Sequence, residues 1–130
     1  YLLKNSDFVS LHCPLTEKTR GLIGAAEFEM MKETAVLVNT ARGGVVDTEA
    51  LYDALSTGKI AYAGLDVTDP EPLPADHKLL TLPNCMVIPH LGSASIQTRA
   101  KRSVMAVKNL MAGLEGDVPP NCVNPRALEK

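Results

Sequence analysis

The chain has 130 residues, of which 45% are hydrophobic and 22% are charged, and its formal net charge at pH 7 is −2. That length allows one domain with a buried core. The absence of a basic excess argues against a nucleic-acid partner, and no apolar run reaches the roughly 18 residues that cross a bilayer, so we expect no membrane partner.

The cysteines predict free thiols. Cys13, Cys85 and Cys122 lie far apart, without the CxxC spacing of zinc and redox motifs. We therefore expect neither a disulfide framework nor a metal site, and we expect a reducing, cytoplasmic compartment.

The first part of the chain predicts strand, helix and strand. Asp7–Cys13 is apolar and rich in β-formers, and Pro14 stops it. Ala25–Lys32 is typical of a short helix, and Ala35–Asn39 is a continuous apolar run typical of a strand buried on both faces.

The next part continues the alternation. Asp47 is suited to cap a helix that ends at Gly58, and Ile60–Val67 and Cys85–Pro89 are further strand candidates. Strands separated by helices predict right-handed crossovers, and hence an α/β fold of the Rossmann-like kind, a parallel sheet with flanking helices.

Two longer segments complete the chain. The proline-rich segment 68–84 is longer than most loops, which is typical of a functional or a disordered segment, and its "HKLLTL" predicts one helical turn. After "HLGSAS" we expect a long helix that Gly113 and Gly116 end, followed by an extended tail. One apolar stripe marks this helix: Ile96, Ala100, Val104, Val107, Met111 and Leu114.

Charged residues follow the predicted strands. Ligands of an open parallel sheet bind outside the carboxyl ends of its strands, and Arg42, Asp66 and His90 all come at such ends. Each has a simpler explanation alone, as a surface arginine, a loop cap or a loop histidine. Their convergence on one edge favours a site, whereas His12 and His77 suggest none.

Arg42, Glu71 and His90 suit the reduction of a small 2-oxo acid. A guanidinium holds a carboxylate with a planar fork. An imidazolium can protonate a carbonyl oxygen, and a carboxylate nearby favours that charged form. Because no side chain donates hydride, the reaction requires a cofactor.

The sequence resembles the D-isomer-specific 2-hydroxyacid dehydrogenases over almost its whole length. The matching segments are "LLKNSDFVSLHCPLTEKTRGLIG", "MKETAVLVNTARGGVVD", "GLDVTDPEP" and "PHLGSAS", in that order. Within the family, the last part is most similar to glyoxylate/hydroxypyruvate reductases. The resemblance implies NAD(P)H-dependent reduction of glyoxylate or hydroxypyruvate to the D-2-hydroxy acid.

The resemblance also implies roles for individual residues. Arg42 matches the arginine that binds the substrate carboxylate, His90 matches the acid/base histidine, and Glu71 matches its acidic partner. Glutamate at that position argues against formate oxidation. The residues that match cofactor contacts are Pro14, Thr40, Ala41, Asp66 and Gly92.

The resemblance covers only part of the family's length. We expect residues 1–92 to be the carboxyl-terminal half of an NAD(P)-binding domain, and residues 93–130 to be a long helix and tail returning towards a substrate domain. No GxGxxG phosphate loop occurs in the chain, so we expect a fragment that binds cofactor weakly or not at all and is inactive by itself. The resemblance also implies a homodimer for the full-length protein. D-3-Phosphoglycerate or another 2-hydroxy acid as substrate, and a non-enzymatic corepressor role, remain open alternatives.

Overall fold

The structure is a computed structural model that describes residues 1–128. It comprises two compact units, of which the first is Tyr1–Leu91 and the second begins at Gly92. None of the helices in the described part is long and apolar enough to cross a membrane.

A parallel sheet forms the centre of the first unit. Its strands follow one another in chain order, β1 to β4, and every neighbouring pair is parallel. The predicted parallel α/β fold is therefore confirmed, although each strand is shorter than predicted. The strands are β1 (Phe8–Leu11), β2 (Val36–Asn39), β3 (Tyr62–Leu65) and β4 (Cys85–Val87).

The register aligns the strand ends. Leu11 pairs with Asn39, Asn39 pairs with Leu65, and Leu65 pairs with Val87. The segments that leave the strands at their carboxyl ends consequently emerge side by side. Among the described residues β1 and β4 are the edge strands of the sheet.

Short helices precede the first strand and connect the strands that follow. They are α1 (Leu2–Asn5), α2 (Ala25–Met30) and α3 (Thr48–Ser56), together with 3₁₀ turns at Gly43–Val45 and Lys78–Thr81. The predicted cap of α3 is confirmed, because the Asp47 carboxylate accepts a hydrogen bond of 3.0 Å from the backbone N–H of Ala50. The turn in "HKLLTL" is also confirmed, whereas no sequence pattern indicated α1 or the turn at Gly43–Val45.

The hydrophobic core lies around the central strands. Leu37 of β2 and Ala63 of β3 are fully buried, and Phe28 of α2, Leu51 of α3 and Leu79 of the second 3₁₀ turn belong to the same cluster. Each large side chain buried in this way stabilises the fold by about 1.5–3 kcal/mol. This core makes the sheet a rigid base for the loops at its carboxyl edge.

The second unit consists mainly of α4 (Ile96–Glu115). The Ser95 hydroxyl caps it by accepting a hydrogen bond of 3.2 Å from the N–H of Thr98, and Gly116 ends it with a left-handed φ of 84°. Gly113 lies inside the helix, so the prediction that it also ends α4 is wrong. A glycine in a helix interior costs only about 1 kcal/mol relative to alanine, which is too little to end a helix of this length. The predicted extended tail is wrong at Pro125–Leu128, which forms a 3₁₀ turn.

Candidate active site at the carboxyl edge of the sheet

Most of the predicted site residues line two cavities of the first unit. The acid–histidine cavity, of about 530 Å³, lies beyond the ends of β3 and β4 and is lined by Asp66, Glu71 and His90 among apolar side chains. The arginine cavity, of about 600 Å³, lies beyond the ends of β1 and β2. Its walls include Pro14, Thr40, Ala41 and Arg42.

Glu71 and His90 form a direct pair. Oε1 of Glu71 lies 2.5 Å from Nδ1 of His90, and the two side chains are 40% and 49% exposed. Because Nδ1 faces the carboxylate, Nε2 lies on the opposite side of the ring. The carboxylate therefore fixes the orientation of an imidazole that can still meet a ligand.

The backbone at His90 has a left-handed conformation. Its φ is 52°, which is uncommon for a residue with a side chain. Such a conformation costs about 1–3 kcal/mol and persists only where the surroundings hold it. Here the N–H of His90 donates a 3.0 Å hydrogen bond to the carbonyl of Asp66.

Asp66 braces the histidine from both its backbone and its side chain. Its Oδ1 atom accepts a hydrogen bond of 2.5 Å from the N–H of Leu91, the residue after His90, and Asp66 itself is only 5% exposed. The sequence resemblance suggests a cofactor contact at Asp66. In the structure its described contacts hold the chain that presents the imidazole.

The loop that carries Glu71 is attached to two neighbouring segments. The Thr48 hydroxyl at the start of α3 donates a 2.9 Å hydrogen bond to the carbonyl of Asp69, and the Asp69 carboxylate lies 3.4 Å from Nη1 of Arg20. Sequence reasoning missed Thr48 and Arg20. Neither belongs to a motif with chemistry of its own, and each acts through a contact distant in sequence.

Residues 40–43, called the arginine turn below, follow β2 and carry Arg42. The Arg42 side chain is exposed, and its Nη1 atom donates a 2.6 Å hydrogen bond to the carbonyl of Ala41. Gly43 follows and is buried. A Cβ at Gly43 would overlap the carbonyl of Thr68, so the arginine turn packs directly against the start of the Glu71 loop.

Not all of the predicted site residues line one cavity. Arg42 lines a different cavity from Glu71 and His90. Gly92 belongs to the second unit. Among the residues without a predicted role, His12 also lines the arginine cavity and His77 caps a 3₁₀ turn, its Nδ1 accepting from the N–H of Leu79 at 3.2 Å.

Two groups of the first unit have shifted pKa values. Burial raises the pKa of the Cys85 thiol on β4 to about 11. A hydrogen bond from Lys78 to Glu49, with Nζ and Oε2 2.5 Å apart, raises the pKa of that lysine, whose Nζ also lies 4.2 Å from the centre of the Tyr52 ring. These contacts join the second 3₁₀ turn to α3. Within residues 1–128 no group of three or more His, Cys, Asp or Glu side chains could hold a metal ion.

Comparison with known proteins identifies a matching family. The family model described as "D-isomer specific 2-hydroxyacid dehydrogenase, NAD binding domain" matches residues 1–92. The human glyoxylate reductase/hydroxypyruvate reductase is 53% identical over 120 residues, which are 92% of this chain and 37% of that protein. The chain thus spans less than half the length of this curated relative.

Solved structures are also similar to this chain. A protein from Thermus thermophilus superposes with a TM-score of 0.89 at 55% identity, over 93% of this chain and 39% of that one. A D-lactate dehydrogenase with NAD⁺ from Lactobacillus jensenii gives a TM-score of 0.82 at 35% identity, over 91% of this chain and 39% of that one.

Proposed function

The chain belongs to the D-isomer-specific 2-hydroxyacid dehydrogenase family, and from that membership we propose that its complete protein reduces a small 2-oxo acid, glyoxylate or hydroxypyruvate, to the D-2-hydroxy acid. The main support from the structure is the Glu71–His90 pair, 2.5 Å apart on the wall of a cavity at the carboxyl edge of the sheet. His90 protonates the carbonyl oxygen of the substrate in this proposal. Glu71 orients the imidazole and stabilises its protonated form.

Arg42 binds the substrate carboxylate. Its guanidinium is exposed at the same edge of the sheet, on the turn that packs against the Glu71 loop. A planar guanidinium can hold both carboxylate oxygens at once, which fixes the direction of the adjacent carbonyl. Binding at Arg42 and protonation at His90 then act on neighbouring atoms of one short substrate.

NAD(P)H is the proposed cofactor. Its dihydronicotinamide, when bound, supplies the hydride for the carbonyl carbon. The arginine cavity fits this role because it opens beyond the ends of adjacent parallel strands, where such sheets bind nucleotides, and because Pro14, Thr40 and Ala41 form part of its wall. Asp66 and Gly92 complete the proposed cofactor contacts.

The experiment that tests this assignment is a kinetic comparison in the complete protein. Arg42→Ala should raise the KM for the oxo acid about a hundredfold, because it removes charge-assisted hydrogen bonds worth about 3 kcal/mol together. Arg42→Lys should recover only part of the loss, since a lysine lacks the fork. Lys59→Ala is the matched control, because Lys59 pairs with Glu29 before the amino end of β3.

A substrate panel decides the chemistry. Glyoxylate, hydroxypyruvate and pyruvate are each assayed with NADH and with NADPH, and D-3-phosphoglycerate, which is already a 2-hydroxy acid, is assayed for oxidation with NAD⁺ and with NADP⁺. The proposal predicts the highest kcat/KM for glyoxylate or hydroxypyruvate, and a loss of kcat of about 10²–10⁴-fold in His90→Gln. Turnover restricted to D-3-phosphoglycerate, or no turnover of any of the four, would contradict it.

The proposal extends to organisation. Residues 1–92 form the carboxyl-terminal half of the NAD(P)-binding domain, residues 93–130 return towards the substrate domain, and the complete protein is a cytoplasmic homodimer. Exposed apolar side chains on α4, such as Val107 and Met111 at 54% and 53% exposure, favour a further packing partner. Sedimentation equilibrium should give the mass of two chains, and the mass of one chain would refute the dimer.

A further inference from the structure

Asn39 is a buried polar residue at a position where the strand pattern favours an apolar one. It lies on the same face of β2 as the fully buried Leu37, and it is itself only 1% exposed. Burying an amide in a core is unfavourable unless its hydrogen bonds are replaced. The contacts that replace them indicate what the residue does.

The Asn39 side chain closes the arginine turn. Its Nδ2 donates a 3.0 Å hydrogen bond to the carbonyl of Arg42, and its Oδ1 accepts a 3.1 Å hydrogen bond from the N–H of Ala41. Both polar atoms of one amide are thus used within three residues of the same chain. These two hydrogen bonds fix the backbone conformation of the turn, and hence the direction in which the Arg42 side chain leaves it.

The Asn39 backbone links this turn to the histidine. Its carbonyl accepts a 2.9 Å hydrogen bond from the N–H of Asp66. Asp66 in turn accepts from the backbone N–H groups of His90 and Leu91. One residue therefore joins the support of the arginine cavity to the support of the acid–histidine cavity.

We propose that Asn39 is a positioning residue, whose side chain holds the Arg42 turn in the conformation that grips the substrate carboxylate. This inference rests on the proposed function, since it assigns Asn39 an effect only through Arg42. Buried as it is, Asn39 does not touch substrate. A donor and an acceptor on one short side chain are required, which excludes aspartate as an equivalent because ionised aspartate has no donor.

The test is a double-mutant cycle in the complete protein with NADH and glyoxylate. Asn39→Asp keeps the shape but places a carboxylate oxygen against the Arg42 carbonyl, and should raise KM about tenfold or more. In an Arg42→Ala background the same change should alter KM less than about twofold, because no guanidinium remains to be misplaced. If Asn39→Asp folds poorly, Asn39→Ser replaces it in the same cycle: serine is too short to make both hydrogen bonds, so it should also raise KM, and again only when Arg42 is present.

Asn84→Asp is the matched control for lost stability. The Asn84 amide likewise donates to two backbone carbonyls, of Leu55 and Ala61, at 3.2 Å each, but before the amino ends of β3 and β4. It should lower the unfolding midpoint and leave KM within about twofold.

The outcomes distinguish a failure of the proposed function from a failure of the positioning role of Asn39. A strong effect of Arg42→Ala together with an unchanged KM in Asn39→Asp, or the same KM increase in both backgrounds, overturns the inference alone. An Arg42→Ala variant with unchanged KM overturns the proposed function, and the role of Asn39 with it.

Discussion

Replacing Gly43 by alanine tests the close packing between the two halves of the candidate site. The added Cβ would overlap the carbonyl of Thr68 and lie too near the backbone nitrogen of Asp69, at 2.6 Å. The obstacle is backbone and not the end of a flexible side chain. Relief therefore requires that the arginine turn or the Glu71 loop move.

The expected cost follows from that geometry. Inserting a methyl group into a packed site typically costs about 1–3 kcal/mol, and a backbone obstacle places Gly43→Ala at the upper end. For a protein of a few hundred residues, about 3 kcal/mol corresponds to a fall in Tm of roughly 6–12 °C. Because the displaced segments carry Arg42 and Glu71, kcat/KM should fall as well.

The assay is thermal unfolding followed by circular dichroism, with kinetics on the same samples. Gly64→Ala is the matched control, because a Cβ at Gly64 on β3 meets nothing within 4 Å. It should leave Tm unchanged or raise it slightly, since alanine restricts the unfolded chain more than glycine does. If Gly43→Ala and Gly64→Ala melt at the same temperature, the proposed tight packing is wrong.

Two further predictions concern other positions. Burial raises the pKa of the Cys85 thiol from 9.0 to about 11, so iodoacetamide at pH 8 should label Cys85 about a hundredfold more slowly than a thiol of ordinary pKa. The contribution of Cys85 to folding stability should decrease as pH rises from about 9 towards 11. Rapid labelling of Cys85 in the native protein would contradict this prediction. Gly113→Ala, at an exposed position inside α4 where a Cβ meets nothing within 4 Å, should raise the stability of the helix by about 0.5–1 kcal/mol, and an unfolding curve shifted to lower temperature would show that the reasoning fails.

Local signals in the sequence were sufficient for the four strands and for α2, α3 and α4, but not for α1 or the 3₁₀ turn at Gly43–Val45. Continuous apolar runs predicted β2 and β3, and Asp47 predicted the start of α3, because burial and capping depend on residues close together in the chain. Most strand ends were overestimated by one or two residues, whereas β2 ends at Asn39 and β4 begins at Cys85 as predicted. The apolar run continues past the last ladder bond, so composition alone does not show where pairing stops.

The contacts that organise the site depend on tertiary structure. Gly43 meets Thr68, and Thr48 holds Asp69, across separations that no periodicity encodes. Asn39 did have a signal, a polar residue in the inward register of a buried strand. Its position before a turn predicted only the end of the strand, so the two side-chain hydrogen bonds of Asn39 to the backbone of Ala41 and Arg42 were missed.

The central claim is that Arg42 and His90 act on one small anion. The most direct measurement is a crystal structure of the complete protein with oxidised cofactor and an unreactive 2-oxo acid analogue such as oxamate. We predict that the carboxylate lies within hydrogen-bond distance of the Arg42 guanidinium, and that the carbonyl oxygen lies within the same distance of Nε2 of His90. An analogue bound to only one of these side chains, with the other turned away from it, would contradict the account.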